Sequence, residues 1–310
     1  MRQLLSGIDR YWYAPLPALR LGYLRLLAGV YSLVYLLIWS PNFLVVSSYP
    51  KERFAPVGPV VILSLPLPPL ACAVAFALTV ILGAAFCLGW RFRWLGPAYA
   101  VSLLWTTSYR NSWGMLFHSE NLMTLHVLLL SLTPAASSLS LDARLAQREH
   151  PTDHGRYGWG IRALSAVTVA VYLLAGVAKV RASGLGWASG EVLQNQVAFD
   201  NLRKIELGSW HSPLGAWLAP WRSVFSPLAG ISLFLELAAP LALFGPRVAR
   251  CWALGVWLFH WGILALMAIA FAYPLSGVAF LCFLRPEQWK ILRFVQRWFE
   301  GAPRAGRVPP

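Results

Sequence analysis

Long apolar runs alternate with short polar segments along nearly the whole chain. They fall at residues 19–39, 70–90, 95–109, 118–133, 161–180, 224–244, 249–269 and 272–284. A helix of roughly 20 apolar residues crosses the ~30 Å hydrocarbon layer of a bilayer. The pattern predicts an all-α, polytopic integral membrane bundle of about eight transmembrane helices. The eighth run is short, so a re-entrant segment is the alternative there. Residues 1–18 read as an interfacial N-terminal segment, 19–285 as the transmembrane domain and 286–310 as an amphipathic, basic tail. Residues 41–69, 135–160 and 181–223 read as loops. Trp187, Trp210, Trp217 and Trp221 suggest that the last of these lies on the membrane surface. In the tail, Trp289, Leu292, Phe294, Val295, Trp298 and Phe299 alternate with Lys290, Arg293 and Arg297 at helical spacing. That predicts an interfacial helix over 286–300, followed by a disordered Pro-, Gly- and Arg-rich end.

Composition agrees with the pattern. The chain is 58% hydrophobic and 12% charged. Soluble domains carry about 25% charged residues. The net charge of +14 sits in the segments between runs. It forms no basic stripe on a soluble fold, so nucleic acid is not an expected partner. With the N-terminus inside and eight spans, 17 Lys and Arg lie inside and 7 outside, leaving Arg25 and Lys179 in the membrane. The positive-inside rule therefore places both termini in the cytoplasm. Asp9 and Pro15 precede any apolar run, which is unlike a cleaved signal peptide. The four cysteines lie in apolar segments without ligand spacing.

Few ionisable residues fall inside the runs. Lys179 ends the fifth, within VYLLAGVAKV. A lysine at a bilayer centre costs roughly 2.5–3.5 kcal/mol, and less near the rim. It either snorkels to the interface beside Arg181 or serves as a base in a cavity. Tyr172, Ala175 and Gly176 share its helix face, and the small residues admit a neighbouring helix or a ligand. His118 opens HSENL at the outer start of the fourth span, on one face with Asn121, while Ser119 and Glu120 are candidate caps. His260 and Glu236 fall near mid-membrane in the seventh and sixth spans. His260 is either a hydrogen-bonded interhelical residue or a catalytic one. Glu236 either pairs with a cation or is protonated, and reads as a structural partner more than a catalytic group. His126 reads as core. His150 and His154 stand at i, i+4, but Pro151 and Gly155 break any helix there, so no metal is expected. No P-loop, G-x-S-x-G or dinucleotide fingerprint is present.

Four motifs in one order carry a family resemblance. They are SW-x(4)-HS at Ser112–Ser119, SLD at Ser140–Asp142, AGV-x-K with W-x-x-G at Trp187–Gly190, and FH at Phe259–His260. Together, over about residues 15–285, they resemble the vitamin K-dependent γ-carboxylase family and its bacterial HTTM (horizontally transferred transmembrane) relatives. The resemblance implies that Lys179 is the base that deprotonates reduced vitamin K or menaquinol. Oxygen then yields a strong base that removes a glutamate γ-proton, and carbon dioxide adds to the carbanion. It implies that His118 and His260 place reacting groups, with Tyr172, Gly176, Asn121 and Glu236 about the cofactor. Phe117 stands where the family has Asn, and the large substrate-binding region of the animal enzyme has no counterpart.

The expectation is a quinol-dependent oxygenating enzyme, coupled to carboxylation of a peptide or small-molecule acceptor. It would sit in a bacterial plasma membrane with the site toward the outer side. The alternative is a non-catalytic lipid- or quinone-binding scaffold. A transporter is disfavoured, because no internal repeat or paired broken helices are visible.

Overall fold

The computed structural model describes residues 2–114, 118–147 and 152–300. His150, Phe117 and the Pro-, Gly- and Arg-rich end at 301–310 lie outside the described residues. The described residues are helical, with no β-strand among them. The chain forms two compact units. The first comprises Met1–Leu164 with Arg285–Pro310, and the second Ser165–Leu284.

The first unit is built on α1 (Arg2–Trp12), α2 (Ala18–Ile38), α3 (Pro69–Leu88), α4 (Phe92–Asn111) and α5 (Asn121–Ser131). It also holds the start of α6 (Gly155–Ser183). Pro69 opens α3, where its missing N–H costs nothing. Gly89 closes it in the left-handed conformation at φ 62°, and Trp90 N–H donates to Ala85 O at 3.1 Å. Any side chain at Gly89 would run into Arg25 Nη1. Asp142 starts α4 from across the unit: its two carboxylate oxygens accept from Arg91 N and Phe92 N at 2.8 Å each.

Helices α2 to α5 run alternately up and down. At one end, Ser138 Oγ donates to Ala18 O and Arg25 donates to Leu139 O. There too Arg20 clasps Glu287 at 2.6 Å, and Arg162 Nη1 donates to Ala14 O at 3.2 Å. At the other end, Ala55 N–H donates to Ser112 O and Leu67 N–H to Tyr109 Oη. Between the ends, hydroxyls face inward. Thr79 Oγ1 lies 2.6 Å from Ser102 Oγ and 2.8 Å from Thr106 Oγ1, and Tyr99 donates to Ser32 Oγ. Aliphatic side chains face outward, as in the exposed stripe Leu70, Val74, Leu78 and Ile81 of α3. Among the described residues, four stretches are long and apolar enough to cross a membrane: Ala18–Ile38, Pro69–Leu88, Gly155–Ser189 and Pro246–Met267. Helix α4 has the length, but its WTTSYRN end is polar. Helix α5, with 11 residues, spans only about 16 Å.

The second unit holds the rest of α6, then α7 (Glu191–Glu206), α8 (Arg222–Leu237) and α9 (Pro246–Met267). The stretch 181–223, expected as a loop, is largely helical. It closes the C-terminus of α9: Asn201 Nδ2 donates to Leu266 O at 2.9 Å, Lys204 Nζ to Met267 O and Ser212 Oγ to Ala265 O, both at 2.5 Å. The eighth apolar run is not one helix. It is a turn, Ala272–Leu275, broken at Gly277, followed by a 3₁₀ segment, Val278–Phe283. It runs back along α9, from Phe271 beside His260 to Phe283 beside Trp252. The tail also differs from a single helix. Pro286 and the extended Trp289 confine its first part to 3₁₀ turns, and α10 is Arg293–Glu300.

One polar cluster of the first unit carries much of its order. Glu120 pairs with Arg110 at 2.8 Å, with both side chains buried, and accepts from the Tyr35 hydroxyl. Ser119 and Glu120 thus give α5 no side-chain cap; Glu120 is drawn instead to the buried guanidinium. Removing one partner of a buried pair strands the other, at about 3–5 kcal/mol. Glu120→Ala is expected to destabilise by that amount, read as unfolding of purified protein in detergent.

Candidate functional site

Helix α6 brings three residues to one face at i, i+4 and i+7: Tyr172, Gly176 and Lys179. Helix α8 meets that face because Gly176 has no side chain. A Cβ there would lie 3.0 Å from both Glu236 Cβ and Leu237 Cδ2. The close approach places the Lys179 amine 2.6 Å from Glu236 Oε1. The side chains are 20% and 5% exposed. Lys179 is therefore held inward, and does not snorkel as a free cation.

Two rings complete its surroundings. The amine lies 4.9 Å from the Trp187 ring centroid and 5.5 Å from that of Phe259. Trp187 is buried, in contrast to Trp210, Trp217 and Trp221 on the surface. Its indole N–H donates to Ser232 Oγ at 3.3 Å, one turn before Glu236. The 3₁₀ turn Gly184–Ser189 delivers the ring, and Gly190 ends that turn at φ 84°.

About one turn before Gly176, Tyr172 meets α9. Its hydroxyl oxygen is 2.7 Å from His260 Nε2, and both residues are buried. Trp252 and Phe280 pack on the tyrosine ring and Phe271 on the imidazole. Two buried polar atoms, Glu236 Oε2 and His260 Nδ1, have no partner among the described residues. An unpartnered buried polar atom is costly, so each is a place where a ligand group or water gains by binding.

The second unit thus gathers Lys179, Glu236, Gly176, Tyr172 and His260. Two other predicted residues, His118 and Asn121, belong to the first unit. Asn121 is exposed at the start of α5. His118 lies in the 3₁₀ turn His118–Glu120, and its side chain lies outside the described atoms. His126 is buried as expected, and His154 Nδ1 accepts from Arg156 N–H. No metal-holding group of His, Cys, Asp or Glu occurs among the described residues.

The model of the HTTM domain matches residues 13–289. The chain belongs to the HTTM domain family. No curated protein and no solved structure matches it. The matched span of this HTTM chain contains every residue of the site just described.

Sequence reasoning placed Glu236 near a cation without finding that the cation is Lys179. Phe259 and Trp187 stand in the quoted motifs, but their packing on the amine is set by α8 and α9 together. The buried Arg110–Glu120 pair escaped notice, although Arg110 and Glu120 flank the SW and HS motif.

The close helix approach makes a direct prediction. Gly176→Ala is expected to cost about 1–3 kcal/mol through overpacking against Glu236 and Leu237. Gly176→Leu is expected to cost more. Thermal unfolding of the two variants beside wild type checks the order.

Proposed function

We propose that this HTTM protein is an integral membrane enzyme that uses a quinol and oxygen, with Lys179 as base and Glu236 as its proton partner. The observation that carries the reading is the buried amine, set on a carboxylate and two aromatic rings beside an imidazole with a free nitrogen. While the pair is ionised, the lysine cannot accept a proton. Transfer of one proton from Nζ to Oε1 leaves a neutral amine and a carboxylic acid, with no net charge created in an apolar site. Lys179 is then a general base. Tyr172 fixes the ring of His260, and His260 Nδ1 is left to bind a hydroxyl or oxygen.

The residues present fit a quinol. Glu236 Oε2 and His260 Nδ1 are buried and unpartnered, and the rings of Trp187 and Phe259 about the amine and of Phe271 on the imidazole make the surroundings apolar. A bound reduced vitamin K or menaquinol would supply the electrons for oxygen. Coupling to carboxylation of a peptide or small-molecule acceptor belongs to the same proposal, as does the role of His118 that the resemblance implies.

The proposed setting is a bacterial plasma membrane crossed eight times, with 1–18 and 286–310 at the cytoplasmic interface and the site toward the outer side. Among the described residues of the first unit, Arg20, Arg91, Arg162 and the basic tail gather at one end, and Lys51, Arg53 and Arg110 belong to the other. That asymmetry supports the orientation. The return of 271–283 along α9 supports a last crossing by a compact path.

A second reading has its own observation. The Lys179–Glu236 pair neutralises both charges and ties α6 to α8. That alone suits a lipid- or quinone-binding scaffold without chemistry.

The test is oxygen-dependent oxidation of reduced menaquinone and vitamin K by purified protein, with carbon dioxide uptake followed in parallel. Lys179→Ala is expected to lower the rate by about 10²–10⁴, and His118→Ala is tested separately. Equal inactivity of wild type and a folded Lys179→Ala, with quinone still bound, would establish the scaffold instead.

A further inference from the structure

The tail packs on the first unit by one side only. Glu287 is clasped by Arg20 through three contacts of 2.6–3.1 Å, and Leu292 O accepts from the Tyr23 hydroxyl at 2.8 Å. Leu292, Val295 and Phe299 pack against Tyr23 and Leu139. Arg144 Nη1 donates to Trp298 O at 3.2 Å and lies over the Trp298 ring. These contacts use up the inward side.

The outward side is exposed and amphipathic in its own right. Ile291, Phe294 and Trp298 are 76%, 68% and 55% exposed, at i, i+3 and i+7. Lys290, Arg293 and Arg297 follow the same spacing, shifted by one residue, and are exposed. An apolar stripe therefore runs beside a basic one. The α3–α4 turn at the same end of the unit repeats the pairing. Arg91 lies over Trp90 at 5.6 Å and Arg93 over Trp94 at 5.4 Å, and Trp94 is 72% exposed.

We propose that this end of the first unit is a docking surface for anionic phospholipid headgroups, with the tail as its main element. The occupant follows from charge and shape. Guanidinium groups bind phosphate through paired N–H donors. Indole rings favour the headgroup level. The stripe Ile291, Phe294 and Trp298 is too short to span a bilayer and has the depth of an interfacial insertion. An acidic protein would match the cations and leave the three apolar side chains in water. Because its inner side is bolted to the unit, the tail acts as a fixed plate, read by the membrane composition around it.

The experiment uses the full chain with Cys251→Ser and Phe294→Cys, labelled with an environment-sensitive dye, the three remaining cysteines being buried. The protein is reconstituted in phosphatidylcholine vesicles with or without about one-third phosphatidylglycerol. Quenching by neutral acrylamide is expected to fall roughly threefold with the anionic lipid. The difference is expected to vanish in Lys290→Gln/Arg293→Gln/Arg297→Gln. It is also expected to vanish for the unaltered charges in about 1 M salt, where the Debye length is about 3 Å. The salt arm decides if the triple variant fails to fold. Equal quenching in both vesicles, or protection that survives both charge removal and salt, overturns the proposal.

Discussion

A polar group that leaves water for a membrane interior has to find its partner inside the protein. In this chain that constraint falls most heavily on Lys179 of the long helix Gly155–Ser183. Its partner is Glu236, 2.6 Å away, and the contact exists only because Gly176 lets the helix Arg222–Leu237 come against its neighbour. The aromatic rings of Trp187 and Phe259, the Ser232 hydroxyl that holds Trp187 and the Tyr172–His260 bond are all arranged about that one juncture. The first unit solves the same problem separately, with Arg110, Glu120 and Tyr35 closed on one another.

The same constraint explains the inversion of polarity across the first unit. Hydroxyls such as Thr79, Ser102 and Ser32 face inward and bond to each other or to backbone, whereas Leu70, Val74, Leu78 and Ile81 face outward. Helix ends are treated likewise. Asp142 caps the helix Phe92–Asn111, and Asn201, Lys204 and Ser212 close the end of Pro246–Met267. The SLD motif thus has a mechanical role as the start signal of another helix.

The long apolar helices were legible because their signal is local: length, hydropathy and flanking Pro or Gly. The runs 19–39, 70–90 and 249–269 lie within two or three residues of the observed helices. Segments whose shape depends on packing were not. The helix Glu191–Glu206 forms where its Asn201 and Lys204 meet the end of another helix, and the run 272–284 breaks at Gly277 to pack as a 3₁₀ strap. Helical spacing alone put Tyr172, Gly176 and Lys179 on one face. Pairing Lys179 with Glu236, 57 residues away, required the tertiary structure. Counting residues put Glu236 in the middle of the run 224–244 and Lys179 at the end of 161–180, whereas the helix that carries Glu236 ends at Leu237.

The site of the second unit depends on the coupling between Lys179 and Glu236, and a double-mutant cycle measures it most directly. Unfolding free energies would be compared for wild type, Lys179→Met, Glu236→Gln and the double variant, in one detergent. The structure predicts a coupling of about 1–3 kcal/mol, with the double variant less damaged than the sum of the singles. Additivity to within about 0.5 kcal/mol would contradict it and would leave Lys179 without the partner on which the site is built.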